Sequence, residues 1–169
     1  MSNGERSNGI VIGKVTEVTD PEGLGRIQVN YPWLSGPERR WVSVASPMAG
    51  GDRGAFFMPE VDDEVILAFQ NGHWDAPFVI GFTWNPQQRP PSADPRQRMI
   101  RSRNGHAIRM VDSTPVAGNQ GALIIEDGHG NTIVMTNGHV TIEATGRMQI
   151  LAADLTLQGR VVRPIGGAI

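Results

Sequence analysis

Apolar and polar positions alternate over short stretches of this chain, and Gly, Asn, Asp or Pro closes almost every stretch. No window of about 11 residues carries a period near 3.6, so the pattern predicts an all-β protein. In the first half the predicted strands are Gly9–Val18, Gly25–Tyr31, Arg40–Ala45, Glu64–Gln70 and Phe78–Thr83. Asp20-Pro21-Glu22-Gly23 is a turn sequence, in which Pro presets φ and Gly permits φ > 0. Five strands with uneven loops in about 80 residues suit a small antiparallel barrel, most often a five-stranded OB-fold.

The second half is patterned differently. Ala122–Glu126, Thr132–Thr136, Val140–Ala144, Met148–Ala152 and Leu155–Leu157 are short, rich in Ile, Val and Thr, and punctuated by Gly or Asp. Val140, Ile142 and Ala144 point to one side, Thr141, Glu143 and Thr145 to the other. Met148 and Ile150 continue the apolar row, then Leu155 and Leu157. The apolar positions Ile142, Ile150 and Leu157 recur at 7 or 8 residues with turns at Gly146 and Asp154, an irregular solenoid-like repeat.

A row of two medium apolar side chains per strand fills only a thin core, and one such chain leaves open strand edges. Three copies wound round a common axis answer both problems: each apolar row points at the axis, and each strand gains a neighbour from another copy. The expected architecture is therefore an N-terminal OB-fold barrel followed by an intertwined triple-stranded β-helix in a homotrimer. Its core residues would be Val140, Ile142, Met148, Ile150, Leu155 and Leu157. The rival architecture for this half is an ordinary single-chain β-sandwich.

Composition sharpens the division. All ten aromatic residues precede residue 86, which suggests that they fill the first domain's core, and a narrow three-chain shaft has no room for them. Residues 1–86 hold 6 Lys+Arg against 11 Asp+Glu, and residues 87–169 hold 9 Arg against 6 acids. Pro86 to Pro95 is Pro-rich and suits neither helix nor central strand. The reading is a flexible tail (residues 1–8), a barrel (9–86), a linker (87–98), and a shaft with its tip (99–169). The overall net charge of −2 gives no general reason to expect nucleic acid as a partner. Without cysteine there are no disulfides, thiolate nucleophiles or Cys-ligated metals. The polar start, MSNGERSNG, lacks a signal peptide's apolar segment, so synthesis in the cytoplasm without a signal peptide is expected.

Four blocks of the first half carry a family resemblance. DPEGLGRIQVNYPWL (Asp20–Leu34) resembles the DP-x-GLGR-V-x-V-x-x-PW opening of the OB-fold domain in phage baseplate assembly protein V and the VgrG spikes of type VI secretion. Arg40 to Pro47 resembles that family's WVRVAQP strand, Phe57 to Val65 its FLPRVGDEVLV block, and Asp75 to Gly81 its DRPVVIGSLYN block. The motif residues are Asp20, Gly23, Gly25, Trp33, Trp41, Pro59, Pro77 and Gly81, with Trp33 and Trp41 expected to pack the barrel. Asp62 stands where the family usually has Gly, which predicts a reshaped turn. Ile100 to His106 is similar to the I-x-S-x-x-GH segment that begins the family's shaft.

The resemblance implies a structural central spike of a contractile injection device: a phage-like tail, a bacteriocin or an extracellular injection particle. It implies a trimeric collar under a separate hub or tube-initiator protein, and a shaft driven outward against the target envelope when the sheath contracts. Pro164, Ile165, Gly166, Gly167, Ala168 and Ile169 are short and uncharged, and are expected to form a platform for a PAAR-type tip protein.

Catalytic chemistry is not expected. No P-loop, GxSxG, HExxH or Rossmann pattern occurs, and no cofactor is called for. His73, His106 and His139 each follow Asn-Gly, which reads as turn chemistry, and no metal site is expected. The alternative for His106, His129 or His139 is an ion on a three-fold axis. Arg89, Arg96, Arg98, Arg101, Arg103 and Arg109 form a basic cluster at the joint. Contact with acidic surfaces of the first half is favoured over nucleic acid, because no aromatics interleave the cluster. The rival for the whole chain is a stand-alone OB-fold module for oligosaccharide or single-stranded nucleic acid.

Overall fold

Five of the strands close a barrel, and their alternation decides what lies inside it. The computed structural model describes residues 9–30, 40–114 and 118–159, and the chain divides into two units, Met1–Pro90 and Pro91–Ile169. The first holds β1 (Val11–Glu17), β2 (Arg26–Asn30), β3 (Arg40–Val44), a short hairpin of β4 (Ala49–Gly50) and β5 (Arg53–Gly54), β6 (Glu64–Phe69) and β7 (Pro77–Thr83). The barrel runs β1-β2-β3-β7-β6 and closes on itself. Its pairings are antiparallel except β3 with β7, where Ser43 and Val44 stand opposite Phe78 and Val79 in parallel. This closed five-strand barrel is consistent with the OB-fold expected from the sequence.

The barrel interior is aliphatic. Every second residue of each strand points inward, which buries Val11 and Val15, Ile27 and Val29, Val42, Val65 and Leu67, and Val79. Gly13 also faces inward, where an added Cβ would overlap Val29 Cγ1 and Leu67 Cδ1. The expectation of an aromatic core is thereby corrected. Trp41 alternates with the buried Val42 and so stands outside, opposite Gln28, with the Arg26 guanidinium 5.9 Å from its ring centroid. Phe69 and Trp74, with centroids 4.7 Å apart, only flank the core. Phe56, Phe57, Phe78, Phe82 and Trp84 are exposed. An interior lined by five short strands is filled by Val, Leu and Ile, and larger rings are displaced outward.

The second unit is a five-stranded antiparallel meander of β8 (Gln97–Arg101), β9 (Ala107–Val111), β10 (Ala122–Glu126), β11 (Thr132–Thr136) and β12 (His139–Glu143). β10 and β11 have the predicted bounds, and β12 begins one residue early. β8 and β9 are not among the predicted strands, because arginines interrupt their apolar alternation, and β8 starts inside the stretch expected to be linker. Conversely, Met148–Ala152 and Leu155–Leu157 carry no strand. A strand exists only where a neighbour takes its N–H and C=O groups, and one copy offers these segments none. The β11–β12 hairpin turns on Asn137 (φ 47°) and Gly138 (φ 78°), the left-handed pair that a two-residue hairpin loop requires. The Asn-Gly before His139 is thus accounted for by turn geometry.

Candidate functional site: an open apolar sheet face

Pairing register places one isoleucine from every strand of the second unit in a single row. Ile100 faces Ile108, Ile108 faces Ile125, Ile125 faces Ile133, and Ile133 faces Ile142. The adjoining row on the same face is Arg98, Met110, Leu123, Met135 and Val140. The face is open to water: Ile100 is 56% exposed, Ile142 60% and Val140 66%. Folded soluble chains rarely leave a contiguous apolar patch of this kind without a partner.

The reverse face differs in chemistry. It carries Arg109 between Met99 and Ile124, and Glu126 between Ala107 and Thr132. Arg109 Nη2 donates to Glu126 Oε2 at 2.7 Å, with both side chains about three-quarters covered. The strand edge at β12 is exposed at all five residues.

Of the six residues proposed for a shared core, Val140 and Ile142 lie on the isoleucine face. Met148, Ile150, Leu155 and Leu157 follow the last strand and are all exposed. Pro164 to Ile169 lie outside the described residues, as do Trp33 and residues 1–8. The sequence reading missed Ile100, Ile108, Ile125 and Ile133. Their signal was available: Ile108 and Met110, Leu123 and Ile125, and Ile133 and Met135 repeat the two-residue spacing of Val140 and Ile142.

In the basic cluster, Arg96 Nη2 pairs with Asp94 at 3.1 Å, Arg98 with Asp112, and Arg109 with Glu126, all within the second unit. Among the described residues, no group of three or more His, Asp or Glu side chains is placed to hold a metal ion. His106 Nδ1 accepts a hydrogen bond from the Gly128 N–H at 3.3 Å, which ties two turns together.

In the first unit the motif residues build turns and rims. Asp20 accepts from the N–H groups of Glu22 (3.1 Å), Leu24 (3.1 Å) and Arg26 (3.2 Å) and from the Arg26 side chain. The Arg26 guanidinium, followed by those backbone donors, holds the Asp20 carboxyl well below the usual carboxylate range. Gly23 and Gly25 take φ of 66° and 70° in the same turn. Pro59 is buried before the Asp62 turn, Pro77 opens β7, and Gly81 pairs with Ile66. Asp62 itself has φ 78° and thus occupies the left-handed conformation that glycine favours.

Residues 11–84 match the profile of the type VI secretion system/phage-baseplate injector OB domain. Spike protein VgrG2a of Pseudomonas aeruginosa is 33% identical over 95 residues, covering 53% of this chain and 11% of the relative. VgrG3 of Vibrio cholerae is 36% identical over 90 residues, 50% of this chain and 9% of the relative. VgrG1a of P. aeruginosa is 28% identical over 119 residues, 61% of this chain and 18% of the relative. The match thus spans less than a fifth of each of these type VI secretion system spike proteins.

Proposed function

We propose, from a first unit that belongs to the type VI secretion/phage-baseplate injector OB-domain family, that this chain is the central spike of a contractile injection device. The observation that carries the reading is the isoleucine face of the second unit. Three copies that turn this face to a common axis bury it, and the alternating Met148–Leu157 segment gains strand neighbours from the other copies. Burying a half-exposed Ile, Leu or Met contributes about 1 kcal/mol. The eight exposed apolar side chains of this face supply of order 10 kcal/mol per copy, which offsets much of the association cost of about 4–15 kcal/mol.

The work of such a trimer is mechanical, and the chain needs no catalysis or cofactor for it. Strands hydrogen-bonded across three chains make a narrow rod that resists bending, and sheath contraction concentrates force on its small end. The first units form a collar under a separate hub protein, and residues 164–169 seat a PAAR-type tip. The assembled particle carries the chain outward to the target envelope, and nucleic acid is not a partner.

Light scattering tests this directly. The purified chain should have three times the mass of one 18.3 kDa copy, and labelled chains should sit on the axis of imaged particles. A well-folded single copy at every concentration would remove the reading.

A further inference from the structure

Three Asn-Gly pairs lie among the described residues, Asn71-Gly72, Asn104-Gly105 and Asn137-Gly138, and His follows each of them. Such a pair carries its own electrophile and nucleophile: the Asn side-chain carbon lies next to a peptide nitrogen that no Cβ shields. We propose that Asn137 is a site of self-modification, where the chain deamidates through a cyclic imide and yields isoaspartate.

The step balances within the chain and water. The Gly138 nitrogen gives its proton to hydroxide and attacks Asn137 Cγ. An N–C bond forms, the Cγ–Nδ2 bond breaks, and Nδ2 leaves as ammonia with a proton taken from water. Water then opens the five-membered imide. Opening at Cγ gives aspartate; opening at the main-chain carbonyl gives isoaspartate, whose backbone runs on through Cβ and Cγ. Nothing is oxidised or reduced.

Three observations single out this pair. The first is the nucleophile. The Gly105 N–H donates to the Ser102 carbonyl at 3.1 Å, which holds its nitrogen back from Asn104. Gly138 is the second residue of a two-residue loop, and its N–H makes no hydrogen bond among the described residues. It is exposed, and an added Cβ there would meet nothing within 4 Å.

The second is freedom to turn, since attack requires the peptide after Asn to rotate toward the side chain. Around Asn71 three backbone bonds resist this: Gln70 N–H to the Ala76 carbonyl (2.9 Å), His73 to Gln70 (2.9 Å) and Ala76 to His73 (3.0 Å). At the hairpin, rotation opens only the end pair Thr136–His139. Thr136 Oγ1 donates to the Gly121 carbonyl at 2.8 Å and anchors the β11 side, so movement falls on β12, which is exposed at all five residues.

The third is the charge that attack creates. It falls on Asn137 Oδ1, which already accepts from the Gln120 N–H at 3.4 Å, as an oxyanion does from its donor.

Isoaspartate lengthens the two-residue loop by one backbone atom, so Thr136 and His139 lose their register and β12 its pairing. Val140 and Ile142 leave the apolar face with it, and the aged chain no longer joins other copies. That last step alone rests on the three-copy reading.

The test holds the full-length chain in warm, mildly alkaline buffer and maps isoaspartate by peptide mass over days. Asn137 should convert about tenfold faster than Asn104, which must first break a backbone hydrogen bond, and amide exchange in β12 should quicken as it does. Asn137→Gly keeps the left-handed turn (φ 47°) and removes the amide, so its β12 should not change with age. No isoaspartate at Asn137, or conversion at Asn71 or Asn104 as fast as there, would overturn the site. Isoaspartate at Asn137 with β12 exchange unchanged would overturn its effect on the sheet. A single-copy mass for the fresh chain would remove the three-copy reading and leave the site standing.

Discussion

Arg26 grips Asp20 at two points: Nε donates to Oδ2 at 2.9 Å and Nη2 to Oδ1 at 2.8 Å. The same carboxylate gathers three backbone N–H groups, so one side chain closes the turn that feeds β2. Its folded pKa lies below that of the unfolded chain, whose Asp titrates near about 4. The resulting stability is fully present above that unfolded value and is lost as pH falls toward the folded one. Asp20→Asn should lower the melting temperature of the first unit at neutral pH and flatten its fall on acidification. Thermal melts of both proteins across the acid range check this; parallel curves would show that Asp20 is not the group responsible.

Asp62 should prefer to be glycine. At φ 78° an L side chain bears left-handed strain that glycine does not. The replacement keeps the N–H that donates to the Val15 carbonyl at 2.9 Å. It removes the exposed Lys14–Asp62 ion pair (2.8 Å), which is worth little in water and less at high salt. Asp62→Gly is expected to stabilise the barrel by up to about 1 kcal/mol, most visibly in high-salt denaturant titrations. A destabilised variant there would mean that the ion pair outweighs the strain.

Gly13 is a steric glycine. Its place on β1 faces the barrel interior against Val29 and Leu67, so Gly13→Val should cost about 1–3 kcal/mol by overpacking. Trimming Leu67 to Ala in the same chain should recover part of that loss, because the two sites share one space. Strict additivity in urea denaturation would contradict the shared packing.

Much of this molecule was legible because strand alternation is local. Val11/Val15, Ile27/Val29 and Val65/Leu67 mark the barrel strands directly. Side-chain size misled the reading of the interior: aromatics suggest a core, yet β3 points Val42 inward and Trp41 outward by register alone. In the second unit Val140 and Ile142 were readable as one face. The isoleucine row was not, because it exists only once register sets five distant strands side by side. Asp20–Arg26 was likewise hidden, since both ends of that bridge read as ordinary polar turn residues.

The tip assignment has its own test. Deleting Arg163–Ile169 should release a PAAR-type protein and leave the copy number unchanged, measured by co-purification and light scattering. A tip protein retained by the shortened chain would place its seat elsewhere.

The decisive substitutions are on β12, where neighbouring residues face opposite ways. Ile142 continues the isoleucine row through Ile133, whereas Thr141 stands opposite Val134 on the reverse face. Both are exposed in one copy, so neither change to Asp should harm the fold of that copy. In three copies wound about the isoleucine face, Ile142→Asp together with Ile150→Asp buries six carboxylates without partners, each costing several kcal/mol. That exceeds what the remaining apolar side chains supply, so the double variant should be a single copy by light scattering, with the barrel's melting transition retained. Thr141→Asp should assemble normally. The reverse result, assembly lost with Thr141→Asp and kept with the double variant, would mean that the other face of the sheet is turned to the axis.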